Sequence, residues 1–182
     1  MVFNNGDDTK FPNEVWHLGD YYPYWNYGPE GKVKNDKFDD HCNHILNLKK
    51  LEKPAINHFF DLVNPILNND ISICVVPSST AEKTDTGIKR LARMLASNNR
   101  IDGTNCLQRH TSIPKATNGG PRNKQNHLDT IQVVSTHLIT GRKVLLLDDV
   151  ATSESSISAC EQLLLEYGAK KVVKLVLGYT KR

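Results

Sequence analysis

VLLLDDVATSESS, residues 144–156, is the stretch on which the fold turns. Four apolar residues, Val144 to Leu147, run straight into two adjacent acids, Asp148 and Asp149. An apolar run of that length, bounded by polar turn residues, reads as a buried strand of a parallel sheet covered on both faces. Beyond the turn, Ile157, Cys160, Leu163, Leu164 and Tyr167 recur at helical spacing, which predicts an amphipathic helix. Thr152, Ser153, Ser155 and Ser156 then crowd the first turn of that helix, where backbone N–H groups lack intrahelical partners. Free donors and hydroxyls at a helix N-terminus suit a phosphate. Two carboxylates beside it cannot also face that phosphate without repulsion. They are better placed to accept hydrogen bonds from sugar hydroxyls or to hold a hydrated Mg²⁺. The ligand so predicted is a sugar phosphate with a metal.

These residues resemble the phosphoribosyl pyrophosphate (PRPP) loop of type I phosphoribosyltransferases: an apolar strand, two acids, then a Thr/Gly-rich turn. QLLLEYGAKKVVKLVLGY, residues 162–179, extends the likeness, since that family continues through a helix, a Gly-Ala turn and another buried strand. The resemblance implies an α/β fold, a twisted and mainly parallel sheet flanked by helices, with a small hood that recognises the acceptor. It further implies that Asp148 and Asp149 hold the ribose hydroxyls, and Mg²⁺ indirectly through PRPP and water. Val150, Ala151, Thr152, Ser153, Glu154, Ser155 and Ser156 would wrap the 5′-phosphate. Glu154 stands where the family usually has Gly, so its carboxylate has to point away from the phosphate or weaken binding.

The 182 residues suffice for one domain with a substantial core, with room for a small appendage. A net charge of +3 is too mild to announce nucleic-acid binding by itself. No apolar run approaches a membrane span and no signal-peptide pattern opens the chain, so the expectation is a cytoplasmic protein without a membrane partner. Cys42, Cys74, Cys106 and Cys160 are scattered with no C-x-x-C pair, which argues for reduced thiols and against a zinc site. Composition shifts near residue 40. Nine of the 13 aromatic residues precede it, among them Tyr22, Tyr24, Trp25 and Tyr27. Residues 1–40 are therefore read as an aromatic-rich hood and 41–182 as the phosphoribosyltransferase-like domain. The hood aromatics suit stacking on a planar base, lining a partner interface, or plain packing.

Further elements follow from pattern alone: helices from Asp39 or Asp40 to Asn47 and from Pro54 to about Leu62, a strand from Ile71 to Val76, and a helix from Gly87 to Ala96. Residues 103–128 read as an exposed excursion, with a short strand from Ile131 to Val134 after it. Strands alternating with helices over residues 70–180 favour a parallel sheet. The strand ending at Val76 feeds Pro77, Ser78, Ser79 and Thr80, and the carboxyl ends of such strands are where open α/β sheets bind ligands. The resemblance gives that turn the pyrophosphate, and its position before GIKRLARML resembles the ComF-like branch. Residues 103–128 contain Arg109, Lys115, Arg122 and Lys124 and no acid, with Asn118-Gly119-Gly120-Pro121 to make them mobile. A flexible cationic loop can fold over a polyanion and neutralise a departing pyrophosphate, with Arg109 and Arg122 the first candidates. It can equally face nucleic-acid backbone or a protein partner. His41 and His44 would be neighbours on a helix, but two ligands on one turn make a weak metal motif.

The functional expectation is a Mg²⁺-dependent phosphoribosyltransferase that moves ribose 5-phosphate from PRPP to a nitrogen acceptor, as a possible homodimer. The alternatives are a non-catalytic PRPP- or nucleotide-binding regulatory module, and an interaction protein in DNA uptake or defence. A P-loop nucleotidase is excluded for want of G-x-x-x-x-G-K.

Overall fold

In the computed structural model, which describes residues 1–10, 13–28, 31–97, 99–114 and 123–181, the apolar run at Val144 is the middle of the molecule. Strand β9 (Lys143–Ala151) lies between β10 (Lys171–Thr180) and β5 (Ser72–Val75), and both pairings are parallel. Beyond β5 runs the short β6 (Ile101–Asp102). On the other side, β1 (Val15–His17) and then β2 (Asp20–Tyr21) pair in succession with β10. All six strands of this sheet are parallel, in the order β1-β10-β9-β5-β6 with β2 beside β10.

Alternation along β9 divides the core in two. Leu145 and Leu147 face a layer with Val173, Leu175 and Leu177, covered by α2 (Asp40–Lys49), α3 (Lys53–Val63) and α4 (Gly87–Ala96). Val144 and Leu146 face Val172 and Val176 on the opposite side, under α6 (Ser155–Glu166). Val144 to Leu147 are wholly buried, and each such leucine contributes ~1.5–3 kcal/mol. The sheet is thus flanked by helices on both faces.

The ends of the helices set positions that matter below. Asp39 caps α2 by accepting from the Cys42 N–H, and the helix runs to Lys49, two residues past its expected end. Thr86 caps α4 and accepts from the Lys89 N–H at 3.3 Å. A Cβ on Gly87 would meet the Leu48 carbonyl oxygen at 1.9 Å, so glycine there lets α2 and α4 close on one another.

Three expectations are corrected. The strand at 131 does not precede β9 in the main sheet: β8 (Ile131–Val133) pairs antiparallel with β7 (Leu107–Arg109). Residues 103–128 are not an exposed excursion throughout, because Cys106, Leu107 and Arg109 are buried and α5 (Lys124–Leu128) packs on α6. Tyr167 is not on the apolar face of α6; it is 47% exposed, past the helix end, where Gly168 takes positive φ and turns the chain. Within the first forty residues, β1 and β2 belong to the main sheet, while β3 (Trp25–Gly28) and β4 (Gly31–Lys34) form a separate hairpin.

Candidate functional site at the carboxyl end of the sheet

Strand β5 leaves the sheet earlier than β9. Its last registered pair is Val75 with Leu147, followed by one bond from the Val76 N–H to the Leu147 carbonyl at 2.9 Å. The chain then departs into Pro77. Residues Asp148 to Ala151 keep β10 on one flank, with Val176 opposite Asp148 and Tyr179 opposite Ala151, and among the described residues no strand pairs with them on the other. That flank lies at the carboxyl end of the central strand, where open parallel sheets hold their ligands.

Because consecutive residues of a strand face opposite ways, the two acids part company. Asp148 is half-buried on the α6 face, and its Oδ1 accepts the Asp149 N–H at 2.8 Å. Burial, and then the Asp149 charge, push its carboxyl up to about 8, so it stays protonated at neutral pH. Its buried neighbour on α6, Cys160, is held far above the ordinary thiol range, chiefly by burial and then by Asp148. Asp149 turns to the α2 face and meets Lys49, with Nζ 3.4 Å from its Oδ1. The ammonium also lies 5.5 Å from the centre of the Tyr21 ring. Burial alone would draw Lys49 down, but Asp149, Tyr21 and Asp148 outweigh it and hold the ammonium above its usual range. Tyr21 is itself pushed up by burial. Acid pair, lysine and phenol therefore form one electrostatic group.

The turn after β9 carries the hydroxyls. Thr152 Oγ1 and Thr180 Oγ1 share a hydrogen bond of 2.9 Å, and Ser153 Oγ donates to Ser155 Oγ at 3.4 Å. Glu154 precedes the first turn of α6 without capping it through its side chain. Its Oε1 instead accepts from the Tyr179 hydroxyl at 3.2 Å, which draws the carboxylate toward β10.

The second turn, after β5, is bolted from beneath. The Ser78 carbonyl accepts from Arg109 Nε at 2.7 Å, and the Ser79 carbonyl from the Ile113 N–H at 2.9 Å. The Thr80 N–H donates to Ser78 Oγ at 3.2 Å, and the Ala81 N–H to Ser112 Oγ at 2.8 Å. A cleft of about 360 Å³ lies against this turn and the start of α4, lined by Ser78, Thr80, Lys83, Thr86, Lys89 and Arg93 among others.

Arg109 is only 6% exposed, and its guanidinium is spent on protein: besides Ser78 it donates to Thr130 Oγ1, and to His127 Nδ1 at 3.1 Å. His127, lowered by burial and by Arg109, accepts as the neutral ring. Arg109 thus shapes the Pro77–Thr80 turn through a carbonyl, and it also borders the cleft beside that turn. Lys115 and Arg122 lie outside the described residues. Asp148, Asp149, the 152–156 turn and the 77–80 turn stand together at the strand ends. Lys49 and Tyr21 join them without having been foreseen: a lysine in a last helical turn is what any helix C-terminus favours, and only the approach of α2 to β9 gives it a second meaning.

Elsewhere, His41 Nε2 bonds the Leu177 carbonyl at 2.9 Å, and His44 stacks on His58 with ring centres 4.0 Å apart. In the β3–β4 hairpin, Lys32 lies 4.2 Å from the Trp25 ring and Lys34 5.7 Å from that of Tyr24, while Tyr27 is 80% exposed. Among the described residues no helix is long and apolar enough to cross a membrane.

No protein-family model and no curated protein matches the chain. Among solved structures it is similar to the crystal structure of phosphoribosylpyrophosphate synthetase from Mycobacterium smegmatis, at 18% identity and a TM-score of 0.35. That similarity covers 74% of this chain and 33% of the synthetase chain, so the chain spans about a third of that protein's length.

Proposed function

We propose that this chain is a Mg²⁺-dependent phosphoribosyltransferase that transfers ribose 5-phosphate from PRPP to a nitrogen acceptor and releases pyrophosphate. The observation that carries the reading is the placement of Asp148 and Asp149 on the unpaired flank of the central strand, immediately before a hydroxyl-rich turn and α6. In this reading the 5′-phosphate lies on the turn from Thr152 to Ser156, the ribose hydroxyls lie against the acid pair, and pyrophosphate lies toward Pro77, Ser78, Ser79 and Thr80. Departure of pyrophosphate leaves positive charge on the ribose ring, and the acceptor nitrogen attacks C1′. A protonated Asp148 both donates and accepts toward a hydroxyl, while Asp149 offers its oxygens beside Lys49. Rigid strand ends supply orientation, which is most of what such a reaction asks of a protein.

The donor set suits magnesium: Mg²⁺ takes one or two carboxylates beside phosphate oxygens and retained waters. Asp148 and Asp149 would hold it indirectly, and when bound it supplies neutralisation of the charge developing on pyrophosphate. A second reading, a module that binds PRPP without turnover, is favoured by Glu154, an acidic residue within the proposed phosphate turn, although its Oε1 is drawn to the Tyr179 hydroxyl. Two measurements test the proposal. Replacing both Asp148 and Asp149 by Asn should abolish calorimetric binding of PRPP with the circular dichroism spectrum unchanged; unaltered affinity would sink the assignment. Pyrophosphate release from PRPP, Mg²⁺ and a panel of bases separates transferase from binding module.

A further inference from the structure

A departing pyrophosphate needs cations near it, and the strongest sequence candidate among the described residues, Arg109, already donates to Ser78, Thr130 and His127. Lys83, Lys89 and Arg93 line the cleft at the turn after β5, and the cation paired with the acid pair itself is Lys49. It closes α2, whose end is seated against the first residue of α4, with the Leu48 carbonyl against Gly87. That helix begins where the turn after β5 ends. Lys49 is therefore carried by the element that joins the acid pair to the pyrophosphate side of the site. Its hold on Asp149 is a single long contact of 3.4 Å between side chains 37% and 29% exposed. A contact of that kind is weak and easily exchanged. A lysine is also suited to exchange, being a compact charge with three donors on a flexible stem. The flanking Tyr21 ring keeps favourable contact with the ammonium over a range of positions.

We propose that Lys49 is a transferable counter-charge, balancing Asp149 while the site is empty and passing to the pyrophosphate group once sugar hydroxyls occupy Asp149. This rests on the phosphoribosyl reading above and adds a residue to it. Two consequences separate it from a merely structural ion pair. Lys49 should matter for a ligand that carries pyrophosphate and not for the same sugar phosphate without it. Its effect should also depend on a mobile cation, so arginine should substitute largely.

The test is calorimetry of PRPP and of ribose 5-phosphate, each with Mg²⁺, on the wild type, Lys49→Met and Lys49→Arg. Lys49→Met should weaken PRPP roughly ten- to hundredfold, the worth of one charge-assisted contact. It should leave ribose 5-phosphate within about threefold, a change smaller than such a contact. Lys49→Arg should retain most of the PRPP affinity. An equal loss for both ligands would show that Lys49 only neutralises the acid pair, and unchanged PRPP binding that it never reaches the ligand; either overturns the proposal. A wild type that binds neither ligand would instead overturn the phosphoribosyl reading, and this inference with it.

Discussion

Replacing Asp148 by Asn should make the protein more stable at neutral and alkaline pH while altering its proposed ligand contact. Asp148 has its carboxyl pushed from an ordinary 3.8 up to about 8, by burial first and by Asp149 second. The folded state therefore holds a proton that the unfolded chain releases near pH 4. Between those two values the native protein binds more protons than the unfolded one, so native stability falls as pH rises through that window and levels off above about 8. At ~1.4 kcal/mol per pH unit, the span sets a ceiling of about 5–6 kcal/mol of lost stability. Asp148 is only half-buried, and water entry with local relaxation reduces the realised cost to roughly 1–3 kcal/mol. Asn keeps the shape and can still accept the Asp149 N–H now bonded at 2.8 Å, but carries no titrating group. Urea unfolding of both proteins from about pH 5 to about pH 9 should give curves that meet at the acid end and diverge toward the alkaline end, with the variant higher. Parallel curves would refute the reasoning, because they would mean Asp148 titrates alike in folded and unfolded chains. Such a gain on removing a polar group from a site is the usual signature of a residue kept for binding at the expense of stability.

Two further substitutions test the frame that holds the site. Asp8 is fully buried, accepts the N–H groups of Val2 and Phe3 at 3.1 Å each, and pairs with Lys171 at 2.7 Å. Burial works to raise its carboxyl, but Lys171 and the two N–H bonds outweigh it and hold it below the ordinary range. The stability it contributes is present above pH ~4 and lost as pH falls through the lowered value. Asp8→Asn should cost roughly 2–4 kcal/mol at neutral pH and flatten the acid limb of stability, and an unchanged acid limb in chemical unfolding would clear Asp8 of that role. Gly87→Ala sets a methyl group against the Leu48 carbonyl at 1.9 Å, so α2 and α4 must separate. A loss of about 1–3 kcal/mol of unfolding free energy in chemical denaturation is expected, and a neutral outcome would show that the two helices are not seated as described.

What the chain declares locally it declares well. The run from Val144 to Leu147 is apolar without alternation because both faces of β9 are covered, and such a run has no other easy explanation in a chain rich in alternating helices. Helix α4 begins and ends at its expected residues because Thr86 caps it and Ile88, Leu91, Ala92 and Leu95 repeat at helical spacing. The acid pair is legible for the same reason: strand, carboxylates, hydroxyls and helix are consecutive in sequence, so their spatial relation is fixed by local geometry alone. Residues 103–128 misled, because absence of acids and abundance of glycine describe a composition and not a burial. Arg109 sits among polar neighbours in sequence, yet Thr130 and His127 enclose it from α5 and the chain just beyond.

The same contrast separates Arg109 from Lys49. A guanidinium buried with three partners is a brace, since leaving any of those groups unsatisfied would cost more than one new contact returns. A lysine at the end of a helix, by comparison, looks like the commonest accommodation to the helix dipole, and nothing within ten residues of Lys49 hints at a carboxylate a hundred residues on. Its partner is chosen by packing: Gly87 admits the end of α2, α2 lies on the face of β9 that Asp149 shares with Leu145 and Leu147, and the pair follows. The strand's period of two thus does more than bury leucines. It sends one acid of a consecutive pair into a protonating environment beside Cys160 and the other to the Lys49 ammonium, so that two identical side chains acquire different chemistry from a single register.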